Sequence, residues 1–353
     1  MALSARPDRK FWAGRKVLVT GHTGFKGTWL TLMLGQLGAK VTGIALLPEG
    51  EAHLYGLAGA QPRLTSHFAD INHAEDLQKL VREAHPEIVL HLAAQPLVRA
   101  AYGAPTATFA TNVMGTINLM EALRSCADLK VLLVVTTDKV YRNLETGVAF
   151  SEEAALGGHD PYSASKAACE IAVASWRQSF FALGGVAVAT ARAGNVIGGG
   201  DFATDRIIPD IFRAQQAGTQ LTLRHPRATR PWQHVFDGLR GYLLYAEALA
   251  QHANVPSTLN FGPSGSPMAV SDVVKAMQEA LGAKPGWRQA EGQQPHEAGL
   301  LALDSSTARQ VLCWHDQFES AAAIASTAAW YAAFAAGRDM RAYGAAEVAA
   351  FMG

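Results

Sequence analysis

KVLVTGHTGFKG, Lys16 to Gly27, is the stretch on which the fold turns. Its first half is a short β-branched run ending in glycine, the pattern of a buried strand feeding a turn. The helical stretch that follows, Gly27 to Leu37, stops at Gly38. Gly21, Gly24 and Gly27 allow a tight turn and a close approach of backbone to ligand. The helix N-terminus then offers free N–H groups and a partial positive charge to a pyrophosphate. This reading assigns Gly21, Thr23, Gly24, Phe25, Lys26 and Gly27 to a dinucleotide cofactor. Their spacing is GxxGxxG rather than GxGxxG.

Outward from this loop, strands alternate with helices. Val41–Leu46, Ser66–Ile71, Glu87–Gln95, Val131–Asp138 and Val186–Arg192 read as strands. Helices are expected from Asn72 or His73 to about Ala84, over Thr111–Arg124, and from Pro161 past Trp176. Strands separated by helices pair in parallel, because each return to the sheet needs a crossover. The fold class is therefore α/β, a Rossmann-type doubly wound parallel sheet with a smaller C-terminal substrate-binding lobe. Residues 12–198 form the dinucleotide domain, with some later segments returning to it, and 199–353 form mainly the second lobe. Short strands at Leu221–Arg224 and Thr258–Phe261 are expected in that lobe, and Ala321–Ala336 is a helix by propensity.

The 353 residues are 49% hydrophobic and 17% charged, enough for a sizeable core. Lys+Arg 30 balances Asp+Glu 30, which argues against a nucleic-acid partner. Three dispersed cysteines, Cys126, Cys169 and Cys313, make no metal-binding spacing and suit a reducing compartment. The N-terminus lacks the apolar core of a secretory signal, and no apolar run approaches the ~20 residues that span a bilayer. A cytoplasmic protein with no membrane association and no metal is expected.

Two further motifs carry chemistry. In Tyr162-Ser-Ala-Ser-Lys166 the tyrosine and lysine share one helix face. The lysine lowers the phenol's pKa and grips the nicotinamide ribose, so that the phenolate removes a hydroxyl proton as hydride leaves carbon. Thr136-Thr137-Asp138-Lys139-Val140-Tyr141 ends a strand whose carboxyl end points into the ligand crevice. Asp70 and Ile71, after the third strand, fit the adenine contact. The second strand ends in Leu46-Leu47-Pro48, without the usual acidic residue for the adenosine ribose. No arginine follows it to meet a 2′-phosphate, which leans toward NAD, although Lys26 can pull the other way.

On these residues the chain resembles the CDP-glucose 4,6-dehydratases of bacterial 3,6-dideoxysugar pathways. The resemblance runs through GHTGFKGTWL (21–30), HLAAQPLVR (91–99), TNVMGT (111–116), TTDKVY (136–141), GGHDPYSASKAACE (157–170), RAGNVIGGGDFATDRIIPD (192–210) and RPWQHV (230–235). Dehydratases for other nucleotides carry Thr-Asp-Glu where this chain has Thr137-Asp138-Lys139. The resemblance implies NAD as cofactor, with Leu92, Ala93, Ala94, Gln95, Asn112, Thr136, Tyr162 and Lys166 also on its binding surface. It implies catalysis by Thr137, Asp138, Lys139, Tyr162 and Lys166, and a nucleotide sugar held by Gln95, Thr137, Asn195, Arg206, Arg230, His234 and His296. Thr137, Tyr162 and Lys166 handle the sugar O4, and Asp138 and Lys139 handle C5 and C6. A homodimer, or a dimer of dimers, is implied through helices near 105–124 and 161–181. A 4-epimerase or reductase of the same superfamily uses the same Tyr162/Lys166 pair, and a non-catalytic dinucleotide sensor keeps the fold; both stay open at this point.

Overall fold

The computed structural model describes residues 5–353 except 51, 60, 63 and 293–297. Seven parallel strands make the central sheet: β1 (Lys16–Thr20), β2 (Lys40–Ala45), β3 (Leu64–Phe68), β4 (Ile88–His91), β5 (Val131–Val135), β6 (Ala187–Ala193) and β7 (Thr258–Phe261). Their spatial order is β7-β6-β5-β4-β1-β2-β3. The order reverses between β1 and β4, and in open α/β sheets ligands bind at that switch point. All residues of β4 and β5 are buried, as expected of strands covered on both faces.

Side chains alternate across the sheet. Val17 and Val19 of β1 belong to one core cluster and Leu18 to the other. Helices α1 (Phe25–Gln36) and α5 (Val235–Ala250) cover the first face with Trp29, Met33, Leu239 and Tyr242. Helices α2 (Ala74–Ala84), α3 (Gly115–Leu123) and α4 (Pro161–Trp176) cover the second with Leu77, Leu119 and Val173. Asp160 caps α4 by accepting from Ser163 N at 2.9 Å, and Pro161 opens the helix.

Several elements differ from the sequence expectation. The third strand ends at Phe68 because the Asp70 carboxylate accepts from Asn72 N at 2.9 Å, an Asx turn that stops extension. The fourth ends at His91: Leu92 N still reaches Thr20 O, but Ala93 N turns to the Thr20 hydroxyl and Gln95 N to Asn112 Oδ1. The fifth ends at Val135, since Thr137 caps a short 3₁₀ turn over Asp138–Val140. The helix expected from Thr111 begins with a π turn over Ala110–Met114. Thr258–Phe261, expected in the second lobe, instead pairs with β6 and forms one edge of the main sheet. The second lobe is built from helices Ile207–Gln216 and Val270–Ala280 and two small strand pairs, Leu221–Leu223 with Trp287–Gln289 and Thr229–Arg230 with Met268–Ala269.

Candidate active site

A cavity of about 840 Å³ runs from the glycine loop, across the carboxyl ends of the central strands, to the wall of the second lobe. That size suits a small-molecule site. At the cofactor end Gly21 has φ +75, and a Cβ there would lie 2.7 Å from Ala93 N. A Cβ on Gly27 would lie 2.0 Å from Gly21 O. Both positions are therefore closed to any larger residue. Gly24 differs: its Cβ would meet only Gly21 O, at 3.4 Å, so the glycine leaves open space above the start of α1. A loop packed this tightly against its helix, with a clear approach to the first-turn amides, fits a dinucleotide pyrophosphate.

His91 locks this end from below. Burial pushes its imidazole down to about 3, and the neutral ring joins Thr20 Oγ1 at 2.6 Å to Thr116 Oγ1 at 2.9 Å. Asn112 lies beneath the wall rather than on it. It holds Gln95 by the backbone (Oδ1 from Gln95 N, 2.8 Å; Nδ2 to Gln95 O, 3.1 Å) and donates to Ser165 Oγ at 2.9 Å. The Gln95 side chain, also off the cavity wall, donates to Leu97 O at 3.1 Å and to Thr108 Oγ1 at 2.9 Å. Gly21, Thr23, Gly24, Phe25, Lys26, Gly27, Asp70, Ile71, Leu92, Ala93, Ala94 and Thr136 all line the cavity.

Lys26 does not lie along the phosphate loop. Its ammonium crosses to the first face and donates to Tyr242 Oη on α5 at 3.3 Å. Burial pushes it down to about 7, helped by the cation of Arg206. Around the adenosine end, Ala45, Leu46, Asp70 and Ile71 line the cavity, and none carries positive charge.

The end of the cavity that holds Tyr162 and Thr137 lies where β5 meets α4. Tyr162 is 8% exposed, and burial pushes its phenol up to about 12, opposed by a hydrogen bond with Thr137. Lys166, one turn on, is pulled down by burial, and its ammonium donates to Val135 O at 3.2 Å. The Thr137 hydroxyl donates to Asp138 Oδ1 at 3.0 Å. Lys139 Nζ donates to the same Oδ1 at 3.0 Å and to Asn195 Oδ1 at 3.2 Å. Tyr162, Thr137, Asp138, Lys139 and Asn195 thus form one hydrogen-bonded set. Asp138 is wholly buried beneath Thr137, Lys139 and Gly194, and among the described residues its Oδ2 has no hydrogen-bond partner. A Cβ on Gly194 would lie 3.2 Å from that oxygen, so glycine keeps its cover thin. Thr136 turns inward and donates to Glu170 Oε1 at 2.5 Å, where Glu170 also pairs with Arg192 at 2.9 Å.

Of the residues expected on the substrate side, Asn195, Arg206 and Arg230 line the cavity. Arg206 is held by Asp201 at 2.9 Å, and Arg230 donates to Thr229 O at 2.8 Å. His234 does not line it. Arg230 and Trp232 do, and extended alternation would carry His234 to the same wall, but α5 begins at Val235. His234 becomes the cap of that helix, accepting from Phe236 N, and stacks on Phe318 with ring centroids 4.1 Å apart. Burial pushes its imidazole down to about 3. His296 lies outside the described residues. Sequence reading missed Tyr242, Arg99, Asp205 and Arg224, all brought to the site by long-range packing.

A sequence model described as GDP-mannose 4,6 dehydratase matches residues 18–327. The CDP-glucose 4,6-dehydratase of Salmonella typhimurium is 40% identical over 352 residues, covering 98% of both chains. Among solved structures, the dTDP-glucose 4,6-dehydratase of Bacillus anthracis in complex with NAD superposes with a TM-score of 0.76 at 22% identity, covering 90% of this chain and 96% of that one. The UDP-glucose 4-epimerase of Thermotoga maritima with UDP-glucose gives 0.79 at 19% identity, covering 89% and 98%. At those identities the structures speak for the fold, and the resemblance read from the motifs is borne out by the sequence relatives. The chain belongs to the nucleotide-sugar 4,6-dehydratase family that includes the GDP-mannose and CDP-glucose enzymes.

Proposed function

We propose that this chain is an NAD-dependent hydro-lyase that converts CDP-glucose to CDP-4-keto-6-deoxyglucose and water. The observation that carries the reading is the hydrogen-bonded set in which Thr137 links Tyr162 to the Asp138–Lys139 ion pair. An epimerase needs only the Tyr162 half. A buried acid–base pair attached to it suits elimination.

Bound NAD supplies a hydride acceptor that returns the hydride later in the same turnover. The glycine loop fits its pyrophosphate, and Ala45, Leu46, Asp70 and Ile71 at the adenosine end, which carry no cation for a 2′-phosphate, favour NAD over NADP. Tyr162 takes the O4 proton, with Thr137 orienting that oxygen and the Lys166 ammonium favouring the phenolate. The C4 ketone then acidifies the C5 proton. A proton passing from Lys139 to Asp138, over 3.0 Å, gives a neutral amine and a neutral acid at once. The amine takes the C5 proton and the acid protonates O6, which leaves as water. That step restores the ammonium–carboxylate pair. Lys139 returns a proton to C5 as C6 is reduced, and the proton that Tyr162 gained from O4 replaces the one Asp138 lost, through Thr137. The acid role requires the Asp138 carboxyl group to turn toward the cavity past Gly194 when the sugar is bound.

Asn195, Arg206 and Arg230 hold the sugar nucleotide along the second-lobe wall. Incubating the purified protein with CDP-, UDP-, dTDP- and GDP-linked glucose tests the reading. A 4-keto-6-deoxy product from CDP-glucose is expected. Epimerised product without loss of O6, or no turnover of any of the four, refutes it.

The protein works as a homodimer through the helices near 105–124 and 161–181. Met114 is 51% exposed and Ile171 is 62% exposed on these helices, with Phe109 and Phe180 also uncovered, and large exposed apolar residues this close together favour an interface. Light scattering checks it, and the mass of one chain overturns it.

A further inference from the structure

Every arginine named on the cavity wall is already engaged by a group of the protein itself. Arg206 pairs with Asp201, and Arg230 donates to backbone carbonyls. The remaining two converge on one carboxylate. Asp205 Oδ1 accepts from Arg99 Nη1 at 2.8 Å and from Arg224 Nη1 at 3.2 Å. Arg99 comes from helix Val98–Gly103 beside the dinucleotide domain, and Arg224 follows strand Leu221–Leu223 of the second lobe. All three residues line the cavity, and the ion pairs therefore cross its mouth. Asp205 also has φ +59, a left-handed backbone that costs a non-glycine residue free energy and that aspartate and asparagine tolerate best.

Both pairs rest on an exposed carboxylate. The Asp205 side chain is 39% exposed and Arg99 42%, against 8% for Asp201 under Arg206. Solvent-exposed pairs contribute little and are easily exchanged for a better partner. Both guanidiniums share the single oxygen Oδ1 of Asp205. A diphosphate, with about two negative charges and a bidentate fit to each guanidinium, matches the pair better.

We propose that Asp205 is an internal stand-in for the substrate's diphosphate: it holds Arg99 and Arg224 across the cavity mouth in the free protein and yields both to the nucleotide. This deepens the function proposed above and rests on a nucleoside diphosphate sugar being the substrate. The two arginines close on the phosphates, and Asp205 swings free on its exposed loop. Because only phosphate is read, the device is indifferent to the base.

Calorimetric titration of the holoenzyme with CDP, UDP, dTDP and GDP, and with cytidine, tests it. Asp205→Asn keeps a side chain suited to the left-handed backbone and removes the competing charge. It should tighten all four diphosphates by about 3- to 10-fold, the scale of two exposed ion pairs, and leave cytidine unchanged. Arg99→Gln and Arg224→Gln should each weaken all four and flatten the salt dependence of binding. If CDP is not the preferred nucleotide, the CDP-glucose reading fails while the common Asp205→Asn gain still stands. Unchanged or weaker diphosphate binding in Asp205→Asn overturns the proposal, as does a gain confined to one base. Should that variant fail to fold, full diphosphate affinity in both arginine variants overturns it equally.

Discussion

Replacing Lys139 with methionine separates the two halves of the proposed reaction. The change keeps an unbranched side chain, one atom shorter, and removes one charge. It breaks the 3.0 Å pair with Asp138, which is wholly buried, and the 3.2 Å hydrogen bond to Asn195. Removing one partner of a buried pair costs about 3–5 kcal/mol. Lys139 is 20% exposed, so water reaches its end of the pair, and the loss of stability should fall at or below the lower end of that range. The kinetic effect should be larger. Tyr162, Thr137 and Lys166 are untouched, so oxidation at C4 proceeds, while loss of the C5 proton loses its base and slows by about 10²–10⁴-fold. Two readouts follow on mixing the cofactor-loaded variant with CDP-glucose. Absorbance of the reduced cofactor should build up toward one equivalent per site, because the hydride has no acceptor carbon. Solvent deuterium should enter C5 far more slowly than in the parent. A folded, cofactor-loaded variant that shows no cofactor reduction would falsify the assignment and move Lys139 to the first step or to substrate binding. Normal turnover makes it a spectator charge.

Three other outcomes are expected. Gly24→Val should fold, since a Cβ there meets only Gly21 O at 3.4 Å, yet lose bound NAD to the side chain standing over the helix N-terminus; normal cofactor content in the purified variant contradicts this. Tyr162→Phe removes only a hydroxyl and should lower kcat by roughly 10²-fold or more with cofactor content unchanged, and full activity takes Tyr162 out of the chemistry. Burial raises the Glu347 carboxyl to about 7, so its contribution to stability is fully present below its unfolded pKa near 4.5 and is lost as pH rises through about 7. Glu347→Gln should therefore raise Tm at about pH 8 and leave it nearly unchanged at about pH 4, and a Tm gain equal at both contradicts the assignment.

What the sequence made legible is what local spacing controls. Gly21, Gly24 and Gly27 announce a strand–turn–helix because each glycine answers a demand made within a few residues. Tyr162 and Lys166 announce a shared face because a helix brings i and i+4 together whatever surrounds it. Strand ends were less legible, since they depend on side chains that intercept backbone groups, as Asp70 does at Asn72 N and Asn112 at Gln95 N. His234 shows the same limit at a site residue. Two-residue alternation from Arg230 points it at the cavity, and the onset of α5 one residue later turns it into a cap.

The groups that reading missed are joined by contacts too distant in sequence for any periodicity to register. Lys26 meets Tyr242 across 216 positions, and Arg99 meets Asp205 across 106. The first contact has a chemical consequence. A lysine in the first turn of a helix is opposed by the helix dipole, so beside a pyrophosphate it reads as a phosphate ligand. Here the ammonium leaves the loop for the buried hydroxyl of Tyr242, close enough to Asp138, Lys139, Lys166 and Arg206 to feel their charges. Lys26 then shares this end of the cavity with three other cationic side chains and the Asp138 carboxylate. Burial makes protons costly in so dry a space, lowering Lys166 and bringing Lys26 down to about 7. Each proton that Lys26 gives up removes one cation facing the Asp138–Lys139 pair, across which the proposed proton shift brings no net change of charge.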